Sequence, residues 1–153
     1  MVLVLSDRKL HLDRIATELI AGAEAPAVFR LESGMGERQR QALREAIDRK
    51  IAGGERFVLL STAAFIGEGY DLPRLDTLFL AMPLSFKGRL IQYAGRLHRE
   101  HAEKDEIHVY DYVDQGSALT AAMFRRRSAA YRQMGYLVVP HEDRSTCQME
   151  LTE

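Results

Sequence analysis

The sequence contains a single cysteine and no long apolar run. Cys147 has no second cysteine with which to form an internal disulfide, so a reducing cytoplasm is the expected compartment. The longest apolar runs are four to six residues, as in Val2–Leu5, whereas a membrane-spanning helix needs about 20 apolar residues. No signal-peptide pattern opens the chain. We therefore expect neither a disulfide framework nor a membrane segment.

Metal-binding patterns are also missing. The five histidines and Cys147 do not show the spacing of metal ligands. His98 and His101 could share a helix face, but two imidazoles alone make a poor zinc site. We expect no metal held by this chain's own side chains.

The charge balance indicates no partner by itself, because the formal net charge is -1. Arginine greatly outnumbers lysine, and the planar guanidinium group suits phosphate better than the lysine ammonium does. A genome that favours arginine codons would explain this composition equally well. Composition alone therefore does not distinguish phosphate binding from codon preference, and the positions of the arginines must be considered.

Strand-like and helix-like patterns alternate along the chain of 153 residues. The predicted strands are Val2–Ser6, Pro26–Leu31, Arg56–Ser61, Asp76–Ala81 and Glu106–Val113, with a last edge strand at Gly135–Pro140. Four helices are predicted between these strands. The first ends at about Ala21, the second is ended by Gly53-Gly54, and the other two cover about Phe86–Arg99 and about Ser117–Met134. This alternation predicts an α/β domain over 1–140, with a mostly parallel sheet and helices on both faces. The polar tail over 141–153 is expected to fray.

Ligands of such sheets bind at the carboxyl ends of the strands. That rule selects Ser6, Glu32-Ser33, the segment after Ser61, and the loops after Met82 and Val113.

One helix concentrates basic groups on one side. At about 100° per residue, Gln92, Arg96 and Arg99 share a face, while Leu90, Tyr93 and Leu97 share the opposite, apolar one. A glycine inside a helix, here Gly95, costs about 1 kcal/mol relative to alanine. Its presence indicates that another backbone or a ligand approaches closely. Two guanidinium groups aimed together suit a phosphoryl group, although a solvated helix face remains the alternative.

A glycine-rich segment follows the buried strand that ends at Ser61. The hydroxyl groups of Ser61 and Thr62 could bind phosphate, and Gly69 permits close backbone approach. Asp71 could accept a hydrogen bond from a ribose hydroxyl or from an arginine of another domain. An ordinary turn before Pro73 is the alternative for this segment taken alone.

The segment Gln92–Arg99 resembles motif VI of superfamily 2 helicases, Q-x-x-G-R-x-G-R. His98 stands where the second glycine usually occurs, and in this respect the segment resembles the restriction-subunit-like branch of the superfamily. Both arginines of the motif are in place. The resemblance implies that Arg99 is the arginine finger and Arg96 a second γ-phosphate contact. It implies that Gln92 is a polar link to the nucleotide or the partner domain.

The glycine-rich segment resembles motif V of the same superfamily. The resemblance implies that Thr62, or Ser61 in its place, contacts the nucleic-acid backbone, and that Gly69 and Asp71 contact the nucleotide. Val2–Asp7 resembles motif IV, and Arg30–Arg38 resembles the segment called IVa. These loops add the candidate backbone contacts Ser6, Arg8, Ser33 and Gly34, although for Arg8 a solvated side chain is an equal alternative.

The resemblance covers about residues 1–113 and implies the second RecA-like motor domain of a DEAD/DEAH-type helicase. No G-x-x-x-x-G-K-[ST] loop is present, so ATP with Mg²⁺ would be held mainly by an N-terminal RecA-like domain. The chain alone is then expected to be inactive. The expected partners are that domain and nucleic acid, with DNA favoured by the restriction-like motif style. Asp105–His108 spells a DExH box, but its acids precede a strand rather than ending one, so we reject it.

Two other functions remain open on the sequence. One is a stand-alone accessory domain that binds nucleic acid or a motor partner without ATPase activity. The other is half of a nucleotide-sugar transferase, which shares the parallel-sheet architecture but predicts no paired arginines on one helix.

The last predicted helix contains the run Arg125–Arg127, which favours a solvated face or an interdomain contact over a nucleic-acid patch. Its core stripe is predicted to comprise Leu119, Met123, Ala130 and Met134.

Overall fold

The structure is a computed structural model. It describes residues 1–62, 74–82, 91, 93–95, 97–98, 106–114, 116–140 and 146–151. The chain divides into two compact units, Met1–Tyr70 and Asp71–Glu153, and each is described separately.

Unit 1 alternates strands and helices as predicted. Its elements are β1 (Val2–Leu5), α1 (Lys9–Ala21), β2 (Ala27–Leu31), α2 (Glu37–Ala52) and β3 (Phe57–Ser61). β3 pairs in parallel with β1 on one side and with β2 on the other. All three predicted strands are confirmed to within one residue at each end.

The core of unit 1 is built around β3, in which every side chain is buried. Phe57 packs edge to face on Phe29 of β2, with ring centroids 5.4 Å apart. The helices add apolar side chains that recur at helical spacing: α1 buries Leu12 and Ala16, and α2 buries Ile47. A strand with no polar face is typical of parallel sheets, and β3 therefore takes the central place.

Unit 2 combines parallel and antiparallel pairing. Its described elements are β4 (Thr77–Leu80), β5 (His108–Tyr112), α3 (Ala118–Gln133), β6 (Tyr136–Pro140) and β7 (Thr146–Leu151). β4 and β5 are parallel, and β7 lies antiparallel between β5 and β6. The predicted strands of this unit and the helix predicted over about Ser117–Met134 are confirmed to within two residues, and β6 is an edge strand. The bounds of the helix predicted over about Phe86–Arg99 lie outside the described residues.

The strand β7 differs from the frayed tail that the sequence predicts. Cys147, Met149 and Leu151 alternate with polar residues at the period of a strand. Two exposed backbone edges, those of β5 and β6, supply the hydrogen-bonding partners. The pairing with β5 is long-range, so local polarity does not reveal it.

The helix α3 begins where the sequence predicts, at Ser117, whose hydroxyl accepts a hydrogen bond from the Thr120 backbone N–H at 3.5 Å. It ends before Gly135, which has a positive φ of 88°, a conformation that favours glycine. The predicted core stripe is only partly right. Ala130 is buried, but Leu119 is 65% exposed.

A buried polar cluster joins α3 to β5. Arg127 donates from Nε to Asp111 Oδ2 at 2.6 Å and from a terminal nitrogen to Oδ1 at 2.8 Å. Tyr131 donates its hydroxyl to Oδ2 at 3.1 Å. Burial raises the pKa of Asp111, while the bonds to Arg127 and Tyr131 oppose that shift. The prediction of a solvated face for the run Arg125–Arg127 is wrong for Arg127, because a guanidinium group that is 2% exposed must have a partner.

Within the described part of the chain, none of the helices has the length and apolar character that spanning a membrane requires.

Candidate nucleic-acid interface

Three strands of unit 1 end at the same level. In the parallel register, Ser61 is aligned with Leu5 of β1 and with Leu31 of β2. The residues that follow these positions, Ser6, Glu32 and Thr62, therefore emerge together at the carboxyl edge. The backbone N–H of Ser6 donates to the Ser61 carbonyl at 3.2 Å, which extends the β1–β3 pairing by one residue.

Two of the predicted contact residues are buried at this edge. Ser61 is 0% exposed, and its hydroxyl donates to the Leu31 carbonyl at 3.2 Å. Ser6 is 1% exposed, and its hydroxyl lies 3.0 Å from Nδ1 of His11. Both hydroxyl groups thus tie neighbouring segments together. His11 was not among the predicted site residues, since its spacing from Ser6 carries no motif.

Thr62 differs from its neighbour Ser61. It lies one residue beyond the end of β3 and is half-buried. Of the two hydroxyl groups between which the sequence could not decide, Thr62 is therefore the more accessible.

The helix α1 begins without a side-chain cap. The N-cap residue is Arg8, and its side chain makes no capping hydrogen bond. The Ser6 hydroxyl instead accepts from the Arg8 backbone N–H at 3.4 Å. The Arg8 side chain is exposed, at the same edge as Thr62.

The loop between β2 and α2 presents an exposed turn. Ser33 and Gly34 are exposed, and Gly34 has a φ of 94°, which an L side chain rarely adopts. The base of the turn is held by Arg40, whose Nε donates to the Met35 carbonyl at 3.1 Å. The Gly36 N–H donates to the side chain of Gln39 at 3.0 Å. A turn held in this way keeps Ser33 and Gly34 at the surface.

The charges around this edge are partly compensated. Arg30 forms ion pairs with Asp13 and, at 2.5 Å, with Glu32. Lys9 lies 4.0 Å from Glu32. Glu32 thus faces two cations rather than leaving a bare negative charge beside the loops, where it would repel phosphate.

The helix carrying the predicted arginine pair belongs to unit 2. Tyr93 and Leu97 are buried, as the apolar-face prediction requires. Gly95 is exposed, and a Cβ added there would meet no atom of the described residues within 4 Å. Among those residues, the space in front of Gly95 is open to an approaching group. The predicted nucleotide contacts Gln92, Arg96, Arg99, Gly69 and Asp71 lie outside the described residues.

The DExH-like segment lies where the sequence interpretation placed it. The exposed Glu106 precedes β5, which begins at His108, and its carboxylate contacts His108 Nε2 at 3.2 Å. Considering only the described residues, no three or more His, Cys, Asp or Glu side chains cluster in a way that could hold a metal ion.

Solved structures with similar folds include helicase domains and an ATPase domain. The C-terminal part of the Fun30 ATPase domain matches with a TM-score of 0.64 at 18% identity, covering 81% of this chain and 38% of that one. The Hef helicase domain of Pyrococcus furiosus matches with a TM-score of 0.53 at 22% identity, covering 81% and 24%. Domain 2 of the DEAD-box helicase Mss116p, solved bound to an RNA duplex, matches with a TM-score of 0.51 at 14% identity, covering 69% and 39%. These likenesses establish a RecA-like fold of the helicase C-terminal type.

Sequence relatives carry related names. "Putative ATP-dependent helicase IRC3" of Saccharomyces cerevisiae is 36% identical over 78 residues, which is 51% of this chain and 11% of the relative. A protein of Invertebrate iridescent virus 6, also named as a helicase, is 35% identical over 83 residues, which is 53% of this chain and 17% of the relative. The chain thus spans only a small fraction of the length of these relatives. The sequence model described as "Helicase conserved C-terminal domain" matches residues 1–101, more than half of the chain, and the chain therefore belongs to that helicase domain family.

Proposed function

We propose that this chain is the second motor domain of an ATP-dependent nucleic-acid helicase or translocase. The observation that carries the proposal is the alignment of three strand ends in unit 1, which places Thr62 beside the β1 and β2 loops. In a domain of this family, such an edge is suited to binding the backbone of a nucleic-acid strand.

The grip would use hydroxyl and backbone N–H groups. Thr62 would donate to a phosphate oxygen, and the exposed turn at Ser33 and Gly34 would offer backbone N–H groups to the next phosphates. Ser6 and Ser61 would position these loops through their internal hydrogen bonds. Such contacts carry no sequence information.

The nucleotide contacts are proposed for unit 2. ATP with Mg²⁺ would be held mainly by an N-terminal RecA-like domain and would supply the γ-phosphoryl group that is transferred to water. Arg99 would act as the arginine finger, stabilising the charge that develops on the phosphoryl oxygens. The remaining contacts would come from Arg96, Gln92, Gly69 and Asp71. The buried Tyr93 and Leu97 and the exposed Gly95 support this orientation of the helix.

The nucleic acid is proposed to be DNA, because the motif style resembles restriction-type motors. Mss116p domain 2 is bound to RNA, so both polymers belong in any test.

The test uses the full-length protein that contains this chain. We expect Arg99→Ala to lower nucleic-acid-stimulated ATP hydrolysis by about a thousandfold or more. Thr62→Ala should weaken nucleic-acid binding while leaving hydrolysis without nucleic acid unchanged. Arg14→Ala, at an exposed position on α1, is the matched control and should change neither. The 153-residue chain alone should hydrolyse no ATP.

Two results would contradict the proposal in different ways. Stimulated hydrolysis that survives Arg99→Ala would remove the finger assignment. A full-length protein that binds nucleic acid but shows no stimulated hydrolysis would instead identify an accessory domain.

A further inference from the structure

One stretch of the chain carries positive charge without any acidic residue to balance it. Residues 115–140 contain four arginines and no acidic residue, although the whole chain has a formal net charge of -1. All four arginines lie on α3. A helix of this kind has no carboxylates of its own to neutralise it.

The buried cluster separates one arginine from the others. Arg127 is 2% exposed and paired with Asp111, whereas Arg125, Arg126 and Arg132 are exposed. The two hydrogen bonds from Arg127 to Asp111 also attach α3 to β5 and so fix the rotation of the helix. The exposed arginines are therefore presented on a fixed support.

The spacing of the exposed arginines suits a strand of phosphates. Arg125 and Arg132 are seven residues apart, which returns to the same side of a helix after two turns. Their separation along the axis is about 10.5 Å, close to the rise of about three nucleotides of a B-form strand. Arg126 lies beside Arg125 and broadens the charged stripe.

The composition of this surface favours a polyanion over a protein. The other exposed side chains beside the arginines are Ala129 and Gln133, and the exposed Leu119 lies at the far end of the helix. Protein interfaces combine arginine with large apolar or aromatic anchors at their centre. The stripe offers no such anchor, while three guanidinium groups suit phosphate oxygens.

We infer that Arg125, Arg126 and Arg132 form a second nucleic-acid contact, which binds phosphates along the outer face of α3. The inference rests on the proposed function and adds a binding surface on unit 2 to the loop contacts proposed for unit 1. It replaces the interpretation of the arginine run as a merely solvated face. The affinity of this contact for nucleic acid should fall strongly with salt concentration and should not depend on the nucleotide sequence.

The competing occupant is an acidic surface of the first motor domain. His98 and Tyr131 both pack edge to face on Tyr136, with ring centroids 5.4 Å and 5.9 Å away. α3 therefore lies close to the helix that carries the proposed arginine finger. The experiment must distinguish a strand of nucleic acid from that domain.

The test measures the affinity of the 153-residue chain for labelled single-stranded DNA, RNA of the same sequence and duplex DNA by fluorescence anisotropy over a series of KCl concentrations. The triple variant Arg125→Glu, Arg126→Glu, Arg132→Glu is compared with the control Arg14→Glu, Arg44→Glu, Arg49→Glu. The control makes the same charge change at exposed positions of α1 and α2. A second α3 variant changes the same three arginines to Gln, which removes their charge without adding negative charge. Thermal unfolding of every variant shows whether it is folded.

We expect the α3 variant to bind at least about tenfold more weakly at low salt. The slope of log affinity against log salt should become shallower by up to about 0.7 per lost contact for a single strand and about 0.9 for a duplex. The Gln variant should move both quantities in the same direction, and the control should move them much less. The ranking of the three probes tells which polymer the surface prefers.

An unchanged slope in both α3 variants would overturn the inference, as would an equal loss in the control. Unchanged binding together with slower hydrolysis by the full-length α3 variant would assign the surface to the first motor domain instead. Thr62→Ala, measured in parallel, separates the two proposals. If it weakens binding while the α3 variants do not, the proposed function stands and only this inference fails.

Discussion

Tyr131 and Tyr136 pack against each other in unit 2, but their hydroxyl groups have different surroundings. Tyr131 donates to Asp111 at 3.1 Å. The hydroxyl of Tyr136 is buried and has no hydrogen-bond partner among the residues that the structure describes. The two rings are otherwise similarly buried, at 0% and 3% exposure. They form a matched pair in which one hydroxyl is bonded and the other is not.

Removing each hydroxyl should therefore have opposite consequences. Tyr131→Phe deletes a hydrogen bond to a charged acceptor and should lower the free energy of unfolding by about 1.5–3 kcal/mol. Tyr136→Phe removes an unsatisfied polar group and should leave stability unchanged or raise it slightly. Urea unfolding of both variants and the parent chain measures the difference. Equal destabilisation by the two changes would show that the Tyr131 hydrogen bond contributes nothing particular.

At the scale of elements, β7 is paired with another strand on each side. It pairs with β5 through Thr146–Glu150 and with β6 through Cys147–Leu151. Removing it would expose the backbone edges of two strands, and such edges are prone to pair with other chains.

We therefore expect slow amide hydrogen exchange along β7. Backbone N–H groups bonded on both sides of a strand exchange only when the sheet opens. Exchange measured by mass spectrometry should give the peptide covering 146–151 protection comparable to that of β5. The N-terminal turn of α3, which carries the exposed Leu119, is an internal reference for weaker protection. Exchange over 146–151 at the rate of an unstructured peptide would support the frayed tail predicted from sequence.

At the scale of the whole molecule, stability should fall at alkaline pH. Burial raises the pKa of Tyr131 well above its ordinary value, and burial also raises the pKa of Tyr136. The unfolded chain ionises its tyrosines from about pH 10, while the folded chain keeps these two protonated. Above that pH the unfolded state binds fewer protons, so the free energy of unfolding decreases as pH rises.

The contribution of each buried tyrosine is present below pH 10 and is lost above it, by at most about 1.4 kcal/mol per pH unit. Denaturant midpoints between pH 8 and pH 11 should show the decline. Tyr136→Phe should make it shallower, because one titrating group is removed. A midpoint that does not change over this range, or a variant with the slope of the parent chain, would contradict the assignment.

The positions of strands and helices could be predicted from the sequence because they depend on local patterns. Apolar runs of strand length such as Phe57–Leu60, glycines after helices, and the hydroxyl before α3 act over a few residues. The order of motifs likewise identified the family, since motif spacing is a property of the chain itself. The fold class and the helicase relationship were therefore predictable without coordinates.

Only the tertiary structure decided which polar side chains form buried hydrogen bonds within the chain and which remain at the surface. Ser61 and Thr62 are neighbours of similar chemistry, yet only Ser61 has a carbonyl from β2 beside it. Arg127 differs from Arg125 and Arg126 only because α3 packs with Asp111 beneath that position. β7 exists because strands far apart in sequence leave edges that it can bridge. In each case the deciding partner is distant along the chain, and local sequence carries no information about its proximity.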